Sequence, residues 1–285
     1  MSTEGPLPGL VLTWQLDGIS AFFGLVILSI AAVTTLYAIG YSRDQHGFPG
    51  SPVLYLLFIL AMLGVVVAGD GFTFLLAWET MSLASFGLVL TDHRRATVRE
   101  AAWAYLVMTH TATAFIVAAF LLLARTTGSL LFADWTAGAT ALDPAVATLV
   151  FGLGLVGFGT KAGMIPLLVW LPRAHPVAPA HVSALMSGVM IKLGIYGLVR
   201  LSFDWLAPGP AWWGALVLAL GATSAVLGVL YALMQHDLKR LLAYHSVENI
   251  GIILLGIGVA LVGRSQGLPL VVAIGLAAAL FHVAN

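Results

Sequence analysis

Not one cysteine occurs in the 285 residues. Without thiolates the chain cannot hold a cysteine-ligated iron–sulfur cluster, attach a c-type haem or build a disulfide framework. Any redox centre that it serves therefore lies in another chain. Charge is nearly as scarce: Asp, Glu, Lys and Arg make up 8% of residues, where a soluble domain carries about 25%. Twelve basic and twelve acidic residues cancel, which leaves no basic surface for nucleic acid. The first ten residues lack the basic start of a cleavable secretory signal. No nucleophile elbow, zinc-ligand spacing or phosphate loop occurs, and neither a metal nor a cofactor site is expected.

What is present is hydrocarbon. Hydrophobic residues are 60% of the chain and the mean hydropathy is +1.02, which places it in a lipid bilayer. An apolar run of about 20 residues spans a bilayer as a helix. Nine runs qualify: 16–40, 52–69, 71–90, 100–124, 146–171, 180–201, 212–234, 241–263 and 268–285. Hydrocarbon offers no partner to a free backbone amide, so these runs must be helical. The reading is all-α, a polytopic integral membrane protein of about nine transmembrane helices in one transmembrane domain over residues 1–285. Gly69-Asp70-Gly71 predicts a tight hairpin between the second and third helices.

Loop charge predicts the orientation. With the N-terminus outside, cytoplasmic loops hold Arg43, Arg94, Arg95, Arg99, Arg173, Lys239 and Arg240, against Arg125, Arg200 and Arg264 on the other side. Seven against three favours N-out by the positive-inside rule. The fifth run is irregular. It carries Pro166, and Pro172, Pro176 and Pro179 follow closely. Proline removes helix hydrogen bonds, and broken membrane helices occur where they line a watery cavity. A helix break near Pro166 and Pro172 is predicted.

Four ionisable residues interrupt the apolar runs. Glu79 lies in FTFLLAWETMSLASFGLVL, Lys161 in VFGLGLVGFGTKAGMIPLLVW, Lys192 in VSALMSGVMIKLGIYGLV and Glu248 in LLAYHSVENIGIILLGIG. Each costs at least about 2.5–3.5 kcal/mol at hydrocarbon depth, so each is a functional candidate. Both signs are present, which suits groups that pass protons to one another. Plainer roles stand beside this one. Glu79 serves as a structural salt bridge, Lys161 snorkels to an interface, and Glu248 pairs with Lys239 or Arg240. Lys161 lies far from both ends of its run, which disfavours snorkelling. His245 shares a helix face with Glu248, three residues on. His110 and His282 are single histidines on apolar helices and read as hydrogen-bonded core residues. A haem pair is not demanded by their spacing. His282 also suits a proton shuttle, because histidine titrates near neutrality. Gly152-Leu153-Gly154-Leu155-Val156-Gly157 matches a dinucleotide fingerprint, but it lies inside a membrane run with no preceding strand. It reads as close helix packing.

Two long strings, HDLKRLLAYHSVENIGIILLGIG and WLPRAHPVAPAHVSALMSGVMIKLGIYGLVR, resemble the antiporter-like membrane subunits shared by complex I, membrane-bound hydrogenases and multisubunit cation/proton antiporters. The branch they look most like is hydrogenase-4 and formate hydrogenlyase, component B. The resemblance runs over nearly the whole chain. It implies that Glu79, in a Trp-Glu motif, pairs with Lys161 on a broken helix. It further implies that Lys192 relays the proton and that His282, in a Phe-His motif, continues the path. Redox chemistry in partner subunits of a hydrogenase or quinone-reductase complex of a prokaryotic inner membrane would drive movement of protons, or of sodium, through a non-catalytic subunit.

The chain also departs from the family. Its motifs start it at the family's third helix and stop it inside the eleventh, so the N-terminal helices and the output half of the conduit are expected elsewhere. The sequence then represents a fragment, a split gene or a short form. Ser187 stands where large complex I subunits can carry histidine. The leading reading is a proton-translocating membrane subunit. The alternatives are a cation/proton antiporter subunit and a non-conducting structural membrane fragment. Sodium needs several oxygen ligands, and two separated glutamates favour protons.

Overall fold

Backbone groups that find no water must pair within their own segment, and the apolar runs fold accordingly. The computed structural model describes residues 2–4, 11–41 and 50–285. Its long helices are α1 (Gly18–Tyr41), α2 (Ser51–Val67), α3 (Gly71–Val89), α4 (Ala96–Thr127) and α6 (Pro144–Ala162), with the short α5 (Phe132–Gly138) before α6. After a break come α7 (Leu171–Val177), α8 (Ala180–Leu185), α9 (Ile191–Val199), α10 (Ala211–Leu233), α11 (Leu238–Ser265) and α12 (Pro269–Ala284). Segments of π-helix, Met186–Met190 and Arg200–Trp205, extend α8 and α9 into one span, Ala180–Trp205. Each predicted run falls on a helix, although the count of nine spans is not matched by length alone. Among the described residues seven helices are long and apolar enough to cross a membrane, while Ser51–Val67 and Pro269–Ala284 are shorter apolar helices. A small hairpin, β1 (Ser2–Glu4) with β2 (Val11–Thr13), precedes the helices. Arg43, counted for orientation, lies outside the described residues.

The connection between α2 and α3 is tight because Asp70 satisfies it. Asp70 caps α3: one carboxylate oxygen accepts from the Thr73 N–H at 2.8 Å. The other accepts from the Thr73 hydroxyl at 2.6 Å and from the Thr13 N–H at 2.9 Å. This buried acid is thus fully occupied as an N-cap. At the same end, Arg200 clamps α1 to the Ala180–Trp205 span. Its guanidinium donates to Asp17 at 2.6 Å, Asp204 at 2.7 Å, Ser20 at 2.9 Å and Tyr196 at 3.1 Å.

The break after α6 is set by Gly163, three residues before Pro166. Gly163 has φ +77°, the left-handed conformation that glycine adopts without a Cβ penalty. Its N–H donates to the Thr160 carbonyl at 3.1 Å, and the Met164 N–H to the Gly159 carbonyl at 3.1 Å, the pattern of a Schellman cap. The exposed backbone finds side-chain partners. Ser224 of α10 accepts from the Ile165 N–H at 3.0 Å, and the Trp170 indole donates to the Thr160 carbonyl at 2.8 Å. The role predicted for Pro172 is corrected. It sits in the first turn of α7, where proline is tolerated, so it starts a helix.

In α6 a Cβ on Gly157 would lie 2.8 Å from the Ala112 carbonyl oxygen, whereas one on Gly152 would meet nothing within 4 Å. Close packing thus accounts for Gly157 and not for Gly152.

Two outcomes follow for the solubilised protein. Gly163→Ala should lower stability by roughly 1–2 kcal/mol, the cost of a left-handed residue with a Cβ, while Gly152→Ala should be neutral or stabilising. Equal melting temperatures for Gly163→Ala and the parent would contradict the cap. The Asp17 carboxyl is held below the usual carboxylate range. Burial pushes it up, but the Ser20 N–H and the Arg200 guanidinium outweigh burial. A depressed folded-state value means that its stabilisation is present at neutral pH and lost as pH falls through that value. Thermal unfolding should therefore show Asp17→Asn less stable than the parent at pH 7, with the difference vanishing on acidification.

Candidate functional site

Three helices bring one set of groups together. Lys161 sits in the last turn of α6, 1% exposed. Its Nζ donates to the Ser82 hydroxyl of α3 at 2.8 Å and to the Tyr105 hydroxyl of α4 at 3.2 Å. The ammonium also lies 5.7 Å from the Trp78 ring and 5.4 Å from the Tyr105 ring. Tyr105 shares a 2.6 Å hydrogen bond with Ser85 and lies 3.5 Å from the Met190 sulfur. Ser85 in turn donates to the carbonyls of Met81 and Ser82. Snorkelling is thereby excluded for Lys161.

The expected direct pair of Glu79 with Lys161 is corrected. Glu79 Oε2 lies 3.3 Å from Nε2 of His110 on α4, and the buried Oε1 has no hydrogen-bond partner. The lysine takes Ser82, three residues after Glu79 on the same helix. Glu79 nevertheless stays within electrostatic reach of Lys161. His110 is corrected too. Its side chain is 45% exposed on the outer flank of the bundle, so it is not a core residue.

A second set lies on α9, α11 and α12. His245 Nδ1 is 2.6 Å from Glu248 Oε2, the spacing of three residues placing both on one face. Glu248 therefore does not pair with Lys239 or Arg240; Lys239 donates to the Ala178 carbonyl at 2.7 Å. His282 Nε2 is 2.9 Å from Asn249 Oδ1, and Lys192 Nζ donates to the Val283 carbonyl at 2.6 Å. Asn249 adjoins Glu248 in sequence and Val283 adjoins His282, so the five residues form one neighbourhood. The two lysines serve different neighbours, Lys161 on α3 and α4 and Lys192 on α12. Gly194 brings α9 against the α6 backbone beside them: a Cβ there would lie 2.7 Å from the Ala162 nitrogen.

Sequence reasoning misses Tyr105, Ser85 and Asn249, because hydroxyl and amide side chains carry no distinguishing pattern within an apolar run. It also passes over His175, inside one of the quoted strings. The structure buries His175 and sets its Nδ1 2.8 Å from the Ser183 hydroxyl.

Tyr105→Phe removes an acceptor from a buried ammonium. Hydrogen bonds to charged groups are worth about 1.5–3 kcal/mol, so the variant should lose stability of that order. A melting temperature equal to the parent's would show that the hydroxyl does not hold the charge.

Comparison with known proteins places these features in a family. A family model described as NADH:quinone oxidoreductase/Mrp antiporter, TM, matches residues 68–284. Hydrogenase-4 component B of Escherichia coli is 46% identical over 278 residues, which cover 96% of this chain and 41% of that protein. The chain thus spans about two fifths of that relative's length. Among solved structures, the Mrp complex from Dietzia sp. superimposes with a TM-score of 0.87 at 30% identity, covering 99% of this chain and 30% of the matched chain. Respiratory complex I from Thermus thermophilus gives 0.68 at 30% identity, covering 94% and 58%. The matched chains come from multisubunit membrane complexes. This polytopic helical membrane chain belongs to the NADH:quinone oxidoreductase/Mrp antiporter membrane family.

Proposed function

We propose that the chain is the proton-translocating part of a membrane subunit in a redox-driven complex of the hydrogenase-4, formate hydrogenlyase or NADH–quinone oxidoreductase type. The observation that carries this reading is the environment of Lys161. Its ammonium is buried and rests on two neutral hydroxyls, with no carboxylate in contact. Burying an ion costs several kcal/mol. Two charge-assisted hydrogen bonds return about 1.5–3 kcal/mol each, and the ring contacts about 0.5–2 kcal/mol. With no fixed counter-charge in contact, the balance between charged and neutral lysine is left sensitive to charge nearby. A change of charge on nearby Glu79 then decides whether the proton is held or released.

In this reading Glu79 sets the charge on Lys161, and Lys192, His245, Glu248 and His282 form the next station. The helix break at Gly163 lies two residues beyond the lysine. Residues 1–285 act as one transmembrane domain, a partial antiporter-like fold, with the N-terminus outside by the charge of its loops. Its partners are the other membrane subunits of a prokaryotic hydrogenase or quinone-reductase complex. Protons, not sodium, are the cargo, because the groups brought together are lysines, histidines and separated glutamates.

The test is made in the complete complex in vesicles. Lys161→Ala should abolish or strongly reduce protons moved per electron while assembly and electron transfer persist. Lys161→Arg should fail as well, because a guanidinium keeps its proton. Normal translocation per electron in Lys161→Ala would remove the proposed role.

A further inference from the structure

Glu79 has an ionisable neighbour on either side. Lys161 lies inward within electrostatic reach, and His110 lies outward at 3.3 Å. The geometry of His110 fixes which of its nitrogens is active. Nδ1 is 3.0 Å from the Leu106 carbonyl oxygen, one turn back on α4. A carbonyl only accepts, so Nδ1 carries a proton. The nitrogen that gains or loses a proton is therefore Nε2, and Nε2 faces Glu79 Oε2. The contact is favourable in two forms. Either an imidazolium N–H donates to a carboxylate, or a carboxylic O–H donates to a neutral imidazole. Both forms hold one proton between Nε2 and Oε2, and both leave the pair with no net charge.

The pair sits in mid-helix on α3 and α4. Its side chains are 45% and 29% exposed, at a depth where ionisable residues almost always face a protein interior or water. Leu76, Leu83, Trp103 and Val107 surround it as exposed apolar residues. The pair thus opens sideways from the bundle. The other titratable groups within electrostatic reach of it are Lys161 from α6 and Tyr105 from α4, which bond to each other.

We propose that His110 is the lateral proton-exchange partner of Glu79. The Nε2 proton of the His110 imidazolium passes to the Glu79 carboxylate, leaving a neutral imidazole and a neutral carboxyl. Lys161 then loses the negative charge that it faces, although no net charge has entered the membrane. Return of the proton to Nε2 restores that charge. This extends the reading of Lys161 as a proton carrier and rests on it.

The experiment uses the complete complex in vesicles and reads protons moved per electron for His110→Gln, His110→Ala and Lys161→Ala. Translocation should fall severalfold in both His110 variants while electron transfer continues. Imidazole added to the medium should restore much of the loss in His110→Ala, where it finds space, and not in His110→Gln. Unchanged translocation in the His110 variants overturns the proposal. A loss that imidazole does not restore in His110→Ala assigns the residue a packing role and overturns it too. The two readings separate cleanly. Normal translocation in Lys161→Ala removes the underlying function, whereas an inactive Lys161→Ala beside a normal His110→Gln removes only the role of His110.

Discussion

A buried ammonium held by hydroxyl groups is the constraint around which the rest of the site is arranged. Lys161 needs acceptors at hydrocarbon depth, and α3 and α4 supply them through Ser82 and Tyr105. Tyr105 is itself fixed by Ser85, and its ring stands 5.0 Å from that of Trp170. Trp170 then closes the circuit by donating to the Thr160 carbonyl in the last turn of α6. The helix break and the lysine seat are thus parts of one construction. Trp170 thus ties the Tyr105 ring to the end of α6, the helix that carries Lys161. A direct carboxylate partner would bind the ammonium far more firmly, and a firmly paired lysine makes a poor carrier.

The second neighbourhood is built on a different principle. Lys192 rests on a backbone carbonyl of α12, while His245–Glu248 and Asn249–His282 are paired side chains at 2.6 Å and 2.9 Å. A stretch of π-helix ends two residues before Lys192. Such irregular turns gather at functional sites, and this one puts Met190 against the Tyr105 hydroxyl. The Ala180–Trp205 span thus touches both neighbourhoods, through Met190 and through Lys192.

Much of the fold is legible in the sequence because the membrane imposes a single rule, that the backbone must satisfy itself. Runs of apolar residues therefore locate helices directly, and the i, i+3 spacing of His245 and Glu248 predicts a shared face. The break is legible as a region but not as a residue. Pro166 is conspicuous, yet Gly163 ends the helix, because only a left-handed residue lets the last turn close. The Glu79–Lys161 contact is misread for a related reason. Depth and sign follow from the sequence, but helix rotation decides which side chain reaches the lysine. That rotation favours Ser82. His110 shows the same limit: an apolar sequence context does not say which flank of a helix is buried. The Val283 carbonyl that receives Lys192 leaves no mark in the sequence at all.

In the proposed function, Lys161 gives up and regains its proton according to the charge on Glu79, and its contacts with Ser82 and Tyr105 change as it does. The most direct measurement is a pair of structures of the complete assembly, at acidic and at alkaline pH, with side chains resolved. The account predicts that the Lys161 ammonium stands on Ser82 and Tyr105 in one and shifts toward Glu79 in the other, with Glu79 changing its contact to His110 in step. A lysine fixed on the same two hydroxyls at both pH values, with an unchanged Glu79–His110 contact, would contradict it.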